Sequence, residues 1–227
     1  TDGQAGRRRI IERCATHFDL SIDSDLETYC NWLGNQRELE HLLMKLPLRR
    51  VNRTRSKKLF RIRLAALANL GRFDDLLMEL EQSSVLQDYW RYAFGARALS
   101  ADRRFAESEI HLNKLVDAID DDDRKVLAVC QWLEESGDVP SLCHVLEKLS
   151  EVSPYEAFCA EGLLRYRIGI AKLGKIQSWV AKLAQSKPTD LKLQNNLIYW
   201  NLLSPTPTED QLNEWLKDSR LHLEGIP

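Results

Sequence analysis

The residues best suited to binding chemistry are a run of cations in the first third of the chain. Residues 49–63, RRVNRTRSKKLFRIR, contain eight Lys and Arg and no acidic residue, in a chain whose formal net charge is only −2. Guanidinium and ammonium groups bind carboxylates and phosphates through charge-assisted hydrogen bonds. The run therefore predicts a surface for an anionic ligand: an acidic protein segment, a nucleic acid, the acidic part of another copy, or an anionic membrane.

Charge is unevenly distributed along the whole chain. Between His41 and Phe73 there are ten Lys and Arg and no Asp or Glu, so the remainder carries 22 basic and 34 acidic residues. Residues 45–72 form a basic region, and its candidate anion-binding patch consists of Arg49, Arg50, Arg53, Arg55 and Lys57. Nucleic-acid binding is the alternative function of this region. It is less favoured, because Phe60 is the only aromatic residue of the run 49–63 and no glycines are interleaved there.

Sequence patterns that mark catalytic or metal sites are absent. The chain has no GxxxxGK[ST], HExxH, GxSxG or GxGxxG motif, and its five histidines are never four residues apart. The run Asp120–Asp123 lacks the alternating ligands of a calcium loop, so we expect these carboxylates to cap a helix N-terminus. The five cysteines form no CxxC pair and are expected to be reduced core residues. We predict no catalytic residue, metal or cofactor, and hence a protein that is not an enzyme.

Helical periodicity dominates the chain. Apolar residues recur at spacings of three and four, as at Phe60, Leu64 and Leu67, and alternating strand-like runs are almost absent, so the predicted fold class is all-α. There is no run of 18 or more apolar residues and no secretory signal pattern at the start. We therefore expect no membrane span within this stretch and a location in the cytoplasm or at the cytoplasmic face of a membrane. The chain opens with Thr1 and not with Met, which is compatible with a fragment of a longer protein.

A repeat of about 34 residues is the most specific signal in the sequence. Gly34, Gly71, Gly137 and Gly174 are each followed, after five and after nine residues, by large apolar residues. The wide middle gap predicts a degenerate marker at Arg103. Each marker is expected to form a left-handed turn that ends the first helix of a hairpin. A single hairpin cannot bury both its faces, so neighbouring hairpins are predicted to stack into an α-solenoid.

Two segments carry a resemblance to a known family. LANLGRFDDLLMEL (67–80) and SGDVPSLCHVLEKLSEVSP (136–154) resemble the turn region of tetratricopeptide repeats. The resemblance covers about residues 20–187 and implies a right-handed superhelix. The predicted organisation is one continuous domain with a disordered tail over 1–6, about five hairpins over 7–187 and C-terminal capping helices over 188–227.

The resemblance also implies where a ligand binds, because the first helices of such repeats line a concave groove. Positions counted back from the turns place cations, amides and one aromatic residue there: Lys58, Arg61, Asn69, Trp90, Arg97, Arg124 and Gln131. They lie off the packing stripes and are expected to be exposed. Such a surface suits an extended peptide with a carboxylate or acidic side chains. The predicted function is a non-catalytic protein-interaction scaffold, with nucleic-acid binding as the alternative and self-association also open.

The run 49–63 then divides into two parts. Arg49–Ser56 is predicted to be an exposed, extended connection between the first two hairpins. A helix is predicted to begin at Lys57 and to bury Leu59, Phe60 and Leu64, while Lys58 and Arg61 face the groove. The basic run is thus expected to be a basic loop that leads into a partly basic groove.

Overall fold

The structure, a computed structural model, describes residues 2–119, 122–151, 155–203 and Asn213. Within these residues it contains thirteen helices and no strand, which confirms the all-α prediction. The helices are α1 Asp2–Ala15, α2 Asp23–Asn35, α3 Leu39–Lys45, α4 Leu48–Thr54, α5 Lys57–Asn69, α6 Phe73–Gln82, α7 Asp88–Ala101, α8 Phe105–Ile119, α9 Asp123–Glu135, α10 Val139–Leu149, α11 Glu156–Arg167, α12 Leu173–Ser186 and α13 Leu191–Leu202.

Both ends of the described chain are helical. Because α1 begins at Asp2, residues 2–6 are helical and not a disordered tail as predicted. At the other end, α13 corresponds to the first of the two predicted capping helices. The second, over 207–221, lies outside the described residues apart from Asn213. In the parts of the chain that the structure describes, no helix combines the length and the apolar character needed to cross a bilayer.

The chain divides into two compact units, Thr1–Val129 and Cys130–Pro227, and the division falls within α9. In the first unit α2 packs on α3, α5 on α6 and α7 on α8, and three-residue connections join the members of each pair. There α2, α3 and α4 also contact α5, and both α5 and α6 contact α7. In the second unit α11 contacts α10 and α12, and α12 contacts α13. One continuous domain stays a prediction.

Four of the helix connections share one hydrogen-bonded turn. Each contains a residue in the left-handed region: Arg37, Gly71, Arg103 and Gly137, with φ of 58°, 72°, 62° and 72°. The N–H of the residue after each one donates to the carbonyl five residues earlier, which belongs to Leu33, Leu67, Leu99 and Leu133 in turn. This is the six-to-one bond of the Schellman motif. The predicted turns at Gly71, Arg103 and Gly137 are therefore confirmed.

The predicted turns at Gly34 and Gly174 are wrong. Helix α2 continues through Gly34 as far as Asn35, and the left-handed residue is Arg37, three positions later. Gly174 is the second residue of α12. Glycine is compatible with the right-handed as well as the left-handed region, so its presence in a sequence does not locate the end of a helix.

The predicted extended connection before α5 is also wrong, because residues 48–54 form α4. This short helix buries Val51, and Arg55, the residue that follows it, has a left-handed φ of 53°. Helix α5 begins at Lys57 as predicted, with the Ser56 hydroxyl accepting a hydrogen bond from the Leu59 N–H at 3.3 Å. The predicted inward residues of α5 are all fully buried: Leu59, Phe60 and Leu64.

Candidate binding surface

Trp90, one of the residues predicted to line the groove, is buried. Its side chain is only 1% exposed, and its ring packs 6.0 Å from the ring of Phe94, measured between centroids. The reason lies in α7, which contacts α5, α6 and α8 and therefore buries residues on most of its surface. Its buried residues are Trp90, Ala93, Phe94, Gly95, Ala96, Ala98 and Leu99. The predicted exposure of Trp90 is wrong.

Arg61 lies over this buried ring. Its guanidinium carbon is 4.1 Å from the centroid of the Trp90 ring, within the range of a cation–π contact. Burial lowers the pKa of Arg61, and nearby Tyr89 opposes that effect. Arg61 and Trp90 do come together, as the sequence predicted, but the contact lies inside the first unit and occupies the face of the arginine.

Three further predicted groove residues, Lys58, Asn69 and Arg97, already have partners in the first unit. The exposed ammonium of Lys58 forms an ion pair with Glu27. The half-buried guanidinium of Arg97 donates to the side-chain oxygen of Asn69 at 3.4 Å. The ion pair of Lys58 reduces the charge that these residues offer to a ligand, and the second contact occupies hydrogen-bonding groups of Arg97 and Asn69.

The last two predicted groove residues, Arg124 and Gln131, lie on α9. Arg124 is exposed, and its backbone N–H donates to the Asp122 carboxylate at 3.0 Å. Asp122 therefore caps α9 as predicted, whereas residues 120 and 121 lie outside the described residues. Gln131 belongs to the second unit, where its amide donates to Glu135 at 2.8 Å.

Unpaired cations are concentrated on α3 and α4 and at the start of α5. They are the half-buried Lys45 and the exposed Arg49, Arg53, Arg55 and Lys57. None of these side chains makes an ion pair or a hydrogen bond with a residue that the structure describes. Arg50, the remaining member of the predicted patch, is half-buried and donates to the Leu20 carbonyl. The alternative patch is thus more available to a ligand than the predicted groove.

Local geometry places three of these cations side by side. Arg49 and Arg53 are four residues apart on α4 and therefore lie on the same face of that helix. Lys45 is the last residue of α3. Pro47, in an extended conformation, separates α3 from α4. Val51 is buried on α4, which contacts α5. The helix is thereby anchored through an apolar residue while its arginines remain in solvent.

The three cations line an open groove of about 590 Å³, which we call the basic groove. Its residues are Met44, Lys45, Pro47, Arg49, Arg50 and Arg53. No carboxylate and no aromatic ring lines it among the residues that the structure describes. Met44 is 69% exposed, so an apolar patch adjoins the cations. The basic groove can therefore hold an anionic group and an apolar side chain next to it.

Arg63, which the sequence interpretation left unassigned, supports the end of α3 at this groove. Its guanidinium donates to both carboxylate oxygens of Glu79 on α6, and its Nη1 also donates to the Leu46 carbonyl at 2.7 Å. The sequence contains one hint of this pair, because each charged residue is next to an apolar stripe. Arg63 precedes Leu64, and Glu79 precedes Leu80. Either charge read alone looks like an exposed position.

A second pocket, of about 400 Å³, lies between α6, α7 and α8 of the first unit. Its exposed carboxylates Asp74 and Glu81 make no ion pair or hydrogen bond with any described residue. The two arginines that line it have hydrogen-bond partners other than these two carboxylates. Arg104 forms a two-pronged pair with Glu107 at 2.7 Å, and Arg91 donates to the backbone carbonyl of Ser83 at 2.5 Å. The charged groups that this pocket offers to a ligand are therefore mainly the carboxylates of Asp74 and Glu81.

Burial raises the pKa of the thiols of Cys30, Cys130, Cys143 and Cys159 and so keeps these four protonated. All five cysteines are free. Burial raises the pKa of Cys30 to about 11 and the pKa values of Cys130 and Cys159 to about 12. A protonated thiol is a poor nucleophile and a poor metal ligand. Within the described ranges, no three His, Cys, Asp or Glu side chains are grouped so that they could hold a metal ion.

Comparisons with known proteins do not assign the chain to a family. No protein-family model matches it, and a search of curated proteins finds no similar sequence. The resemblance to tetratricopeptide repeats consequently remains a prediction from the segments quoted above.

Proposed function

We propose that the protein is a non-catalytic interaction module that binds an acidic segment of another protein in its basic groove. The observation that carries the proposal is that Lys45, Arg49 and Arg53 line this groove together and have no carboxylate partner in the described chain. Like charges held close together repel one another, and an anionic ligand relieves that repulsion. Arginine adds two-pronged hydrogen bonds to carboxylates, which give such a site orientation as well as affinity.

An acidic peptide fits the basic groove better than a nucleic acid does. Sequence-tolerant binding of single strands relies on aromatic rings that stack on the bases, and the lining of the groove contains none. The exposed Met44 and the neighbouring Pro47 instead offer an apolar contact for a side chain of the ligand. The favoured ligand is therefore a segment that combines Asp or Glu with an apolar residue.

We further propose that the helix pairs are repeats of a tetratricopeptide-like α-solenoid. The four Schellman turns support this proposal, because the left-handed residues follow one another at intervals of 34, 32 and 34 residues. The carbonyl that closes each turn belongs to a leucine every time. In this frame α4 is an extra turn between the first two repeats, and it carries the binding residues away from the predicted concave groove.

Fluorescence anisotropy distinguishes the two ligand classes. One probe is a labelled peptide of alternating Glu and Leu, and the other is a single-stranded RNA with the same number of charges. At a salt concentration of about 0.15 M, where surface charges are screened beyond about 8 Å, we expect the peptide to bind more tightly than the RNA. A peptide with Gln in place of Glu serves as the control and should not bind. Tighter binding of the RNA contradicts the proposal.

A further inference from the structure

The first unit carries an acidic surface that matches the ligand proposed for its basic groove. On α6, Asp74, Met78 and Glu81 follow at spacings of four and three residues, which places them on one face of the helix. Asp74 and Glu81 are exposed carboxylates that make no ion pair or hydrogen bond with a described residue, although Asp74 lies near enough to Arg104 to interact with its charge. Met78 is 47% exposed. This acidic face of α6 thus presents two carboxylates about 10 Å apart along the helix, with an apolar side chain between them.

We propose that the chain self-associates head to tail, with the basic groove of one copy holding the acidic face of α6 of a second copy. The proposal rests on the proposed function, since it uses the same groove, and it names a specific acidic segment as an occupant. In the complex, Arg49 and Arg53 of one copy pair with Asp74 and Glu81 of the other. The exposed methionines Met44 and Met78 cover each other.

The distribution of charge favours such an association. The chain has a net charge of −2, yet the interval 41–73 contains ten cations and no carboxylate. Net repulsion between copies is therefore small, while the attraction between the basic interval and the acidic remainder is large. Proteins with a net charge near zero associate more readily than highly charged ones.

The two surfaces belong to different elements, and in the proposed head-to-tail contact each copy uses its groove on one neighbour and its acidic face on another. The basic groove is built by α3 and α4, and the acidic face by α6. A head-to-tail contact that does not close into a ring leaves one free groove and one free acidic face on every assembly. The average mass should therefore increase progressively with concentration and should not stop at a dimer. An acidic peptide that occupies the groove should reverse this increase.

Sedimentation equilibrium at low salt tests the inference with two neutralised variants. Arg49→Gln/Arg53→Gln disables the groove, and Asp74→Asn/Glu81→Gln disables the acidic face. Each variant alone should be monomeric. An equimolar mixture of the two should sediment at twice the monomer mass, because one native contact remains between them. The control Glu109→Gln/Asp117→Asn removes two exposed carboxylates of α8 and should associate like the wild type.

The inference is overturned if the wild type stays monomeric at low salt, if each variant associates like the wild type, or if the mixture stays monomeric. Circular dichroism checks that the variants are helical. If one of them is not helical, the salt dependence of the wild type decides. Its average mass should fall to that of the monomer at about 1 M salt, because charges are then screened beyond about 3 Å. Association that persists at this salt concentration contradicts the inference.

Peptide binding separates this inference from the proposed function. The variant Asp74→Asn/Glu81→Gln keeps its basic groove and should bind the Glu/Leu peptide as tightly as the monomeric wild type. If this variant binds the peptide while the wild type never associates, the inference fails and the proposed function stands. If it does not bind the peptide, the proposed function fails as well.

Discussion

The guanidinium of Arg63 and the carboxylate of Glu79 form a two-pronged ion pair, with Nε 2.8 Å from Oε2 and Nη2 2.5 Å from Oε1. The two side chains are 11% and 4% exposed, so the pair is shielded from solvent. The same guanidinium donates to the Leu46 carbonyl at 2.7 Å, directly before the Pro47 that lines the basic groove. The position of the groove relative to α5 and α6 therefore depends on a buried charge pair.

Removing one member of the pair should destabilise the first unit strongly. In Glu79→Leu, Arg63 stays buried without its counter-charge, and the free energy of unfolding should fall by about 3–5 kcal/mol. The double variant Arg63→Met/Glu79→Leu leaves no unpaired charge and should be more stable than Glu79→Leu. Urea unfolding of both variants and the wild type measures the difference. If the double variant is the less stable of the two, the pair does not act as described.

The turns predict a stabilising substitution. Arg103 is exposed at a left-handed φ of 62°, a region that costs a residue with a Cβ roughly 1–2 kcal/mol. Arg103→Gly should therefore raise the free energy of unfolding by about 1 kcal/mol, because the greater flexibility of glycine in the unfolded chain offsets part of the gain. Arg103→Ala, which keeps the Cβ, is the matched control and should give little change. Equal effects of the two substitutions would rule out backbone strain as the cause.

Stability should depend on pH through His111, which lines the pocket between α6, α7 and α8. Burial lowers the pKa of His111, Lys114 and Arg104 lower it further, and Glu107 opposes them. The unfolded chain, with an ordinary histidine pKa of about 6.5, therefore takes up a proton more readily than the folded chain. This contribution to stability is complete above the unfolded pKa and is lost as the pH falls below it.

The wild type should lose more stability between neutral pH and about pH 5.5 than His111→Gln does. The reason is that glutamine at position 111 does not take up a proton in this pH range. Thermal unfolding at both pH values measures the loss for each protein. Carboxylates that titrate in this range contribute equally to both and cancel in the comparison. An identical pH dependence of the two proteins contradicts the role given to His111.

Alkylation should distinguish the cysteines by their burial. Cys14 is partly exposed, whereas Cys30, Cys130, Cys143 and Cys159 are buried. At about pH 8, iodoacetamide should modify Cys14 first, because thiolate and access are both required. Mass spectrometry of the native protein should then show one modified site, and the unfolded protein should show five. Early labelling of a buried cysteine would indicate that its helix opens locally.

The helix turns were predictable from spacing where the repeat was regular. Arg103 has no glycine to mark it, yet its distance from Gly71 and Gly137 located the left-handed residue. Gly34 misled the prediction because a helix tolerates glycine, and the actual turn residue, Arg37, has no preference for the left-handed region. Periodicity therefore locates a hairpin more reliably than the residue type at its turn.

The binding surface was less predictable, because it depends on which faces of a helix are covered. Trp90 lies off the apolar stripe of α7, but three helices pack around α7 and bury that side as well. A cation is available to a ligand only if no carboxylate from another part of the chain pairs with it. Arg63 is paired with Glu79 in this way, whereas Arg53 has no such partner among the described residues. A single sequence shows the cations but not their partners.

The most direct test of the proposed binding site is the affinity of the Glu/Leu peptide for two charge-reversed variants. Arg49→Glu/Arg53→Glu alters the basic groove, whereas Lys148→Glu/Lys192→Glu makes the same change of charge at two exposed lysines of the second unit. Fluorescence anisotropy should show that the first variant binds the peptide at least about tenfold more weakly than the wild type, a loss of about 1.4 kcal/mol or more. The second variant should bind within about twofold of the wild type, a difference of roughly 0.4 kcal/mol. Equal weakening by both variants would show that net charge alone governs binding and would contradict the assignment of the basic groove.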